Sequence, residues 1–240
     1  MPDLSRHVIV VTGATGNLGH TFVRRAIESG AHVACPVRDL AKGEALRAEL
    51  GGLAVDAADP RLLVRELDLN DQRAMEAFVE TVLRAWGRVD AIVNLAGTFG
   101  NGPATDLAKI EELWGANVRP AIVATAACLR PMRARGRGRV VSVGALSALK
   151  AGANVAGYAM AKGALVRWTE ALAQELKAGG ITANVVLPST IDHPTNRKNM
   201  PKADPATWVT PDELSSVILF LCSDEASGVT GAAIPVTART

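Results

Sequence analysis

His7-Val-Ile-Val-Val-Thr12 runs without a break into Gly13-Ala-Thr-Gly16-Asn-Leu-Gly19, and this junction sets the fold of the chain. Four consecutive Val and Ile residues suit a strand covered on both faces, as in a parallel sheet. From Leu18 to Ser29 the period changes, with Phe22, Val23, Ala26 and Ile27 returning at helical spacing until Gly30 ends the helix. Strand, glycine-rich turn and helix in that order form a dinucleotide cradle. Gly13, Gly16 and Gly19 let backbone N–H groups approach a pyrophosphate, with Thr15, Asn17 and Leu18 between them and the positive end of the helix behind.

The alternation continues to the end of the chain. Strands are expected at His32–Val37, Leu62–Leu67, Val89–Leu95, Val140–Val143, Ile181–Leu187 and Ala233–Thr237. Helices are expected at Leu40–Leu50, Gln72–Trp86, Val155–Lys177 and Pro211–Cys222, and over Leu107 to about Met132 with a bend or restart near Pro120. No polar linker divides the chain. The expected architecture is therefore α/β, one doubly wound Rossmann domain over residues 1–240, its seven-stranded parallel sheet carrying helices on both faces. Two stretches stand outside the pattern. Arg130 to Arg139 holds five arginines and reads as a solvated turn rather than a phosphate patch. Residues 188–210 are proline-rich and aperiodic, which suits a substrate lid.

The totals exclude several classes. A net charge of +2 over 240 residues gives no field that argues for nucleic acid or a membrane surface. Cys35, Cys128 and Cys222 are scattered and odd in number, which predicts a reduced protein without a disulfide framework or a cysteine metal site. No apolar run reaches the length of a membrane span, and the first strand begins too early to leave room for a signal peptide. The expectation is a soluble cytoplasmic protein with a small-molecule partner and no metal.

Ligands of such sheets lie beyond the carboxyl ends of the strands. That edge gathers the glycine turn, Arg38 after strand two, Asp68 and Leu69 after strand three, and Asn94-Leu-Ala96-Gly97 after strand four. It also gathers Gly144-Ala145-Leu-Ser147 after strand five and Pro188-Ser-Thr190-Ile191 after strand six. The next helix brings Tyr158, the only tyrosine, and Lys162 one turn later on the same face. Alone, such a pair is more often a buried tyrosine beside a surface lysine. Within this crevice, an ammonium next to a phenol favours the phenolate and makes the phenol a usable proton donor or acceptor.

Taken together, Thr12-Gly-Ala-Thr-Gly-Asn-Leu-Gly19, Asp68, Asn94-Leu-Ala-Gly97, Asn117, Tyr158-x-x-x-Lys162 and Pro188 resemble the short-chain dehydrogenase/reductase family over essentially the whole chain. The resemblance implies that Tyr158 transfers the proton and that Lys162 lowers its pKa and binds the nicotinamide ribose. It further implies that Asn117 holds a relay water, Asn94 braces the central strands, and residues 111–130 and 155–177 form the face of a homodimer or homotetramer. Departures from the family pattern are the Gly-x-x-Gly-x-x-Gly spacing, Ser189 after Pro188, and Ala145 where a catalytic serine is usual. The missing serine, the 144–149 segment and the 187–211 stretch resemble dihydropteridine reductase-like members, with Phe99 at the place of a tryptophan that flanks the pterin. Phe99 either stacks on a flat substrate or packs under the lid.

Val37 and Arg38 at the end of strand two replace the acidic residue that would bind a ribose 2′-hydroxyl. Arg38 suits a 2′-phosphate, so NADP(H) is favoured and NAD(H) remains open. Three functions are compatible with these residues. One is hydride transfer to a conjugated or imine-like substrate. The second is reduction of a ketone, or oxidation of an alcohol, with Ser147 or Ser142 recruited. The third is a non-catalytic NADP-binding regulatory protein.

Overall fold

Alternation of side chains along the strands decides the layering. The structure is a computed structural model that describes residues 2–51 and 61–239. In β1 (Val8–Thr12), Ile9 and Val11 face one core and Val8 and Val10 the other. The same split runs through β2 (His32–Val37), β4 (Ala91–Asn94), β5 (Gly138–Val143) and β6 (Ile181–Pro188). On the first face lie α1 (Asn17–Glu28), α2 (Leu40–Leu50) and α8 (Pro211–Cys222). On the second lie α3 (Gln72–Trp86), α5 (Arg119–Arg135) and α6 (Ala156–Leu176). Because both faces are covered, the strands read as unbroken apolar runs.

With β3 (Leu62–Glu66) and β7 (Ala233–Val236) the sheet has seven strands in the order β3-β2-β1-β4-β5-β6-β7, every pairing parallel. The order reverses between β1 and β4, and Thr12 and Asn94 are paired at the carboxyl ends of that junction. A crevice for a ligand opens at such a reversal.

The expected elements are present, with displaced ends. The helical stretch from Leu107 divides into α4 (Leu107–Asn117) and α5, with Pro120 in the first turn of α5. α5 continues past Met132, through Pro131, to the left-handed Gly136, whose N–H bonds Arg133 O. Residues 188–210 are not wholly irregular: they contain α7 (Pro194–Asn199) and a 3-10 turn at Pro205–Thr207. A bridge between Ile191 and Val209 ties the two ends of this strap together. All three cysteines are buried and free. Among the described residues no helix is long and apolar enough to cross a membrane, and no group of side chains has the make-up of a metal site.

The arginine-rich stretch is not simply solvated. Arg130 pairs with Glu80 on the surface, but Arg135 reaches the buried Asp90, Arg137 pairs with Asp224, and Arg139 is only 5% exposed. The chain turns there from α5 into the interior strand β5, so its later residues enter the sheet edge. Asp90 is 2% exposed and accepts hydrogen bonds from Val8 N (2.9 Å), Arg88 Nε (2.7 Å) and Arg135 Nη1 (3.0 Å). Those donors hold its carboxyl below the usual range despite burial. Asp90→Ala would strand two guanidiniums and a strand N–H. The expected loss is about 3–5 kcal/mol, a fall in Tm of about 10 °C, measured by thermal and urea unfolding against Asp90→Asn, which retains an acceptor and loses less.

Candidate active site

The glycine turn is shaped by contacts that only glycine permits. Gly13 has a φ of +71°, and a Cβ there would stand 2.7 Å from Ala96 N; a Cβ on Gly19 would stand 2.1 Å from Gly13 O. α1 therefore packs directly on the turn and aims its first N–H groups along the crevice. Gly16 caps α1 without any side-chain hydrogen bond, and no acidic residue lies in the first turn. By contrast Asp39, Asp71, Asp106 and Thr210 cap α2, α3, α4 and α8 with side-chain oxygens. The open donors of α1 fit a pyrophosphate. Thr15 and Gly16 are exposed, whereas Leu18 packs on the core beneath. Asn17 Nδ2 donates to Asp192 O at 3.4 Å, joining the turn to the base of the strap.

Beside it, the end of β4 is braced in three directions. Asn94 Nδ2 donates to Thr125 Oγ1 (3.0 Å) and Ser142 Oγ (3.4 Å), linking β4 to α5 and β5. Ala96 N donates to Thr12 Oγ1 at 3.3 Å, across the switch point. Thr12, Thr125 and Ser142 are thus supports of the site that the sequence reading did not assign. Strand register carried the signal, since Thr12, Asn94 and Ser142 occupy the same level of three adjacent strands. Ser142 is fully buried and committed to Asn94, so it is not available to a substrate.

Tyr158 and Lys162 lie on one face of α6, as their spacing predicts. Lys162 is buried, its Nζ 5.7 Å from the centre of the Tyr158 ring and donating to Val143 O at 3.0 Å. Burial pushes the Tyr158 phenol up to about 12 and brings the Lys162 ammonium down to about 8. The expected lowering of the tyrosine by its lysine neighbour is therefore not present in the free protein. At this separation desolvation outweighs the attraction, and both groups are held toward their neutral forms.

Asn117 sits behind the pair. Its Nδ2 donates to Thr98 O (3.0 Å) and Leu113 O (2.9 Å), and its Oδ1 accepts from Thr98 N (3.2 Å). Both amide hydrogens are used and Oδ1 accepts one bond, so the side chain positions the 96–99 loop on α4. Gly97 separates it from Lys162: a Cβ there would fall 2.5 Å from Asn117 Oδ1 and 3.3 Å from Lys162 Nζ. Phe99, 62% exposed, meets Tyr158 edge-on with ring centres 5.0 Å apart, so it does not pack beneath the strap. Ala145 is extended and starts the 3-10 turn Leu146–Ala148. Ser147 in that turn has a buried hydroxyl with no hydrogen-bond partner.

The remaining predicted residues line the rim. Arg38 is exposed with no hydrogen-bond or ion-pair partner among the described residues, while Asp39 is occupied as the cap of α2, accepting from Lys42 N at 3.2 Å. The Asp68 carboxylate is exposed and accepts from Asn70 N, and Leu69 is buried under it. Pro188 ends β6 beside Val236, and Thr190 O and Ile191 join the bridge to Val209.

Known proteins share this arrangement. Levodione reductase from Leifsonia aquatica is 28% identical, over 95% of this chain and 92% of its own. A crystal structure of levodione reductase superposes with a TM-score of 0.87 at 26% identity, covering 98% of this chain and 97% of that one. Cyclohexanol dehydrogenase from a Rhodococcus strain is 28% identical, over 95% of this chain and 94% of its own. The crystal structure of NAD+-bound xylitol dehydrogenase superposes with a TM-score of 0.86 at 25% identity, covering 97% and 98%. These relatives bear the names of ketone and alcohol enzymes, so the likeness to dihydropteridine reductase expected from Ala145 and the 187–211 stretch is not what they share with the chain. The family model for short chain dehydrogenases matches residues 7–204, from β1 through the glycine turn and the tyrosine-lysine helix into the strap, and the chain belongs to the short-chain dehydrogenase/reductase family.

Proposed function

We propose that the protein is an NAD(P)(H)-dependent carbonyl reductase or alcohol dehydrogenase. It acts on a ketone or the corresponding secondary alcohol, with Tyr158 as proton donor and NADP(H) as the favoured cofactor. The observation that carries this reading is a half-buried phenol beside a buried lysine at the switch point of the sheet. The names of the relatives support a ketone or alcohol over an imine-like substrate.

The bound dinucleotide supplies or removes hydride. This chain's residues do the rest. The open N–H groups of α1 would hold the pyrophosphate, and Arg38, without a partner among the described residues, would take a ribose 2′-phosphate. A phenol at about 12 is protonated at neutral pH, so Tyr158 stands ready as an acid toward a carbonyl oxygen. Lys162, at about 8, is still largely charged at pH 7 and stabilises the phenolate as the proton leaves. Ser147 supplies the second donor to that oxygen in place of the absent serine at Ala145; its unpartnered hydroxyl supports this role. Phe99 forms an apolar wall beside Tyr158, and residues 188–210 close over the site from the strap anchored at Asn17. Exposed Trp114, Ile122 and Met160 on α4, α5 and α6 support assembly of two or four copies through those helices.

Tyr158→Phe should lower turnover of ketones with NADPH by roughly 10²–10⁴-fold while leaving NADPH binding intact. In the unaltered enzyme, reductive turnover should decline as pH rises through about 8, where Lys162 loses its proton. Retained turnover in Tyr158→Phe would end this reading. Ser147→Ala should cost about 10²–10³-fold in kcat, by analogy with loss of an oxyanion donor, and Ala145→Ser placed in that background should restore part of it. Arg38→Asp should move the kcat/KM preference from NADP(H) toward NAD(H) by roughly ten- to a hundredfold, the worth of a hydrogen bond to a charged group. An unchanged preference would show that another residue reads the ribose.

A further inference from the structure

The arginine-rich turn that the catalytic reading leaves unused borders a cleft of about 470 Å³ at the amino ends of β5 and β6. This is the edge of the sheet opposite the Thr12–Asn94 switch point, so the cleft is separate from the dinucleotide crevice. Arg137, Arg139 and Lys177 bring three positive charges to it, and Asp224 brings one negative charge. Asp224 is shared: it pairs with Arg137, lies 3.8 Å from Arg139 Nη2, and is approached by His7 Nε2 at 3.6 Å. Lys177 has no ion-pair partner among the described residues. Two cationic charges are thus left without a counter-charge.

The ends of α5 and α8 do not account for the two arginines, whereas Lys177 stands at the C-cap of α6. Met132 O and Arg133 O at the end of α5 already accept from Arg137 N and Gly136 N, each at 3.2 Å. Phe220 O at the end of α8 accepts from Ser223 N (3.0 Å) and its hydroxyl (2.7 Å). Arg139 is fixed by backbone carbonyls, donating Nε to Ser223 O and Nη1 to Gly138 O, both at 3.0 Å. Burial, and after it the adjacent Arg137 guanidinium, makes its positive charge harder to hold. A bound anion relieves that repulsion.

The wall beside Lys177 is made of hydroxyls. Thr182 is 6% exposed and its Oγ1 has no hydrogen-bond partner. It shares a face of β6 with Asn184, which bonds Val229 O and Ala232 N, so Thr182 points toward the same 223–231 loop that closes the cleft. Thr230 Oγ1 accepts from Ala183 N at 3.2 Å, which leaves its O–H free to donate, and Ser227 stands next to it. A buried hydroxyl without a partner is a cost that a fold seldom retains without use. Cationic nitrogens on one side and hydroxyl donors on the other match the donor demand of a phosphate group.

The geometry points to a phosphate-binding site in this cleft, taking inorganic phosphate or the phosphate of a small phosphomonoester. The test is calorimetric titration of the protein saturated with its nicotinamide dinucleotide, which occupies the other phosphate-binding region. Inorganic phosphate is expected to bind saturably. Thr182→Val should weaken it about tenfold, the loss of one hydrogen bond to an anion, and Lys177→Gln should weaken it several-fold. Neither substitution should change turnover of a ketone. Thr182→Val should also unfold at a slightly higher temperature than the parent without phosphate, since it removes an unpaired buried hydroxyl, and this shows that it folds. Glycerol phosphate in a parallel titration identifies the source: tighter binding than inorganic phosphate indicates a phosphorylated metabolite, and equal or weaker binding indicates the free ion. No saturable binding, or binding that neither substitution weakens, would overturn the assignment.

Discussion

The close approach of β1 and β4 at their carboxyl ends is the constraint on which the rest of the molecule depends. A methyl group on Gly13 would meet the backbone of Ala96, and Thr12 Oγ1 takes the Ala96 N–H directly. At this junction the strand order reverses, so no helix crosses over it and a crevice remains. Into it open the N-terminus of α1, the 96–99 loop and the first turns of α6. Widening this contact would detach the glycine turn from Tyr158 and Lys162, because the glycine turn and Asn94 share one pair of strands.

Burial sets the chemistry of the pair. Tyr158 and Lys162 are close in sequence, but their protonation is decided by the core that α6 enters and by the carbonyl of Val143. At neutral pH the phenol is therefore protonated and the amine still largely charged.

The two ends of the sheet carry opposite solutions to charge. At the carboxyl edge, α1 presents backbone N–H groups without a side-chain cap, and Arg38 is exposed without a partner among the described residues. At the amino edge, Asp90 and Asp224 each gather several cations, and one of these clusters is buried. Asp90 knits β1 to the turn before β4 and to α5, a structural use of charge, whereas the cluster around Asp224 faces a cleft.

Much of this was legible in the chain. Unbroken Val and Ile runs determined a parallel sheet covered on both faces, because strand side chains alternate and both sides need apolar cover. The glycine spacing determined the cradle, because only glycine tolerates the approach of Gly13 to Ala96 and of Gly19 to Gly13 O. The four-residue spacing of Tyr158 and Lys162 determined a shared helix face. Other features waited for the tertiary structure, since they depend on residues distant in sequence. Strand register, not spacing, placed Thr12, Asn94 and Ser142 on one level and so removed Ser142 from the substrate's reach. Desolvation raised Tyr158 where a neighbour's charge was expected to lower it, because burial is a property of the packed molecule. The arginine run looked like a solvated turn until folding carried Asp90 and Asp224 beside it. Local pattern fixes which element a residue occupies, but its charge and its partners belong to whatever the fold brings within a few ångströms.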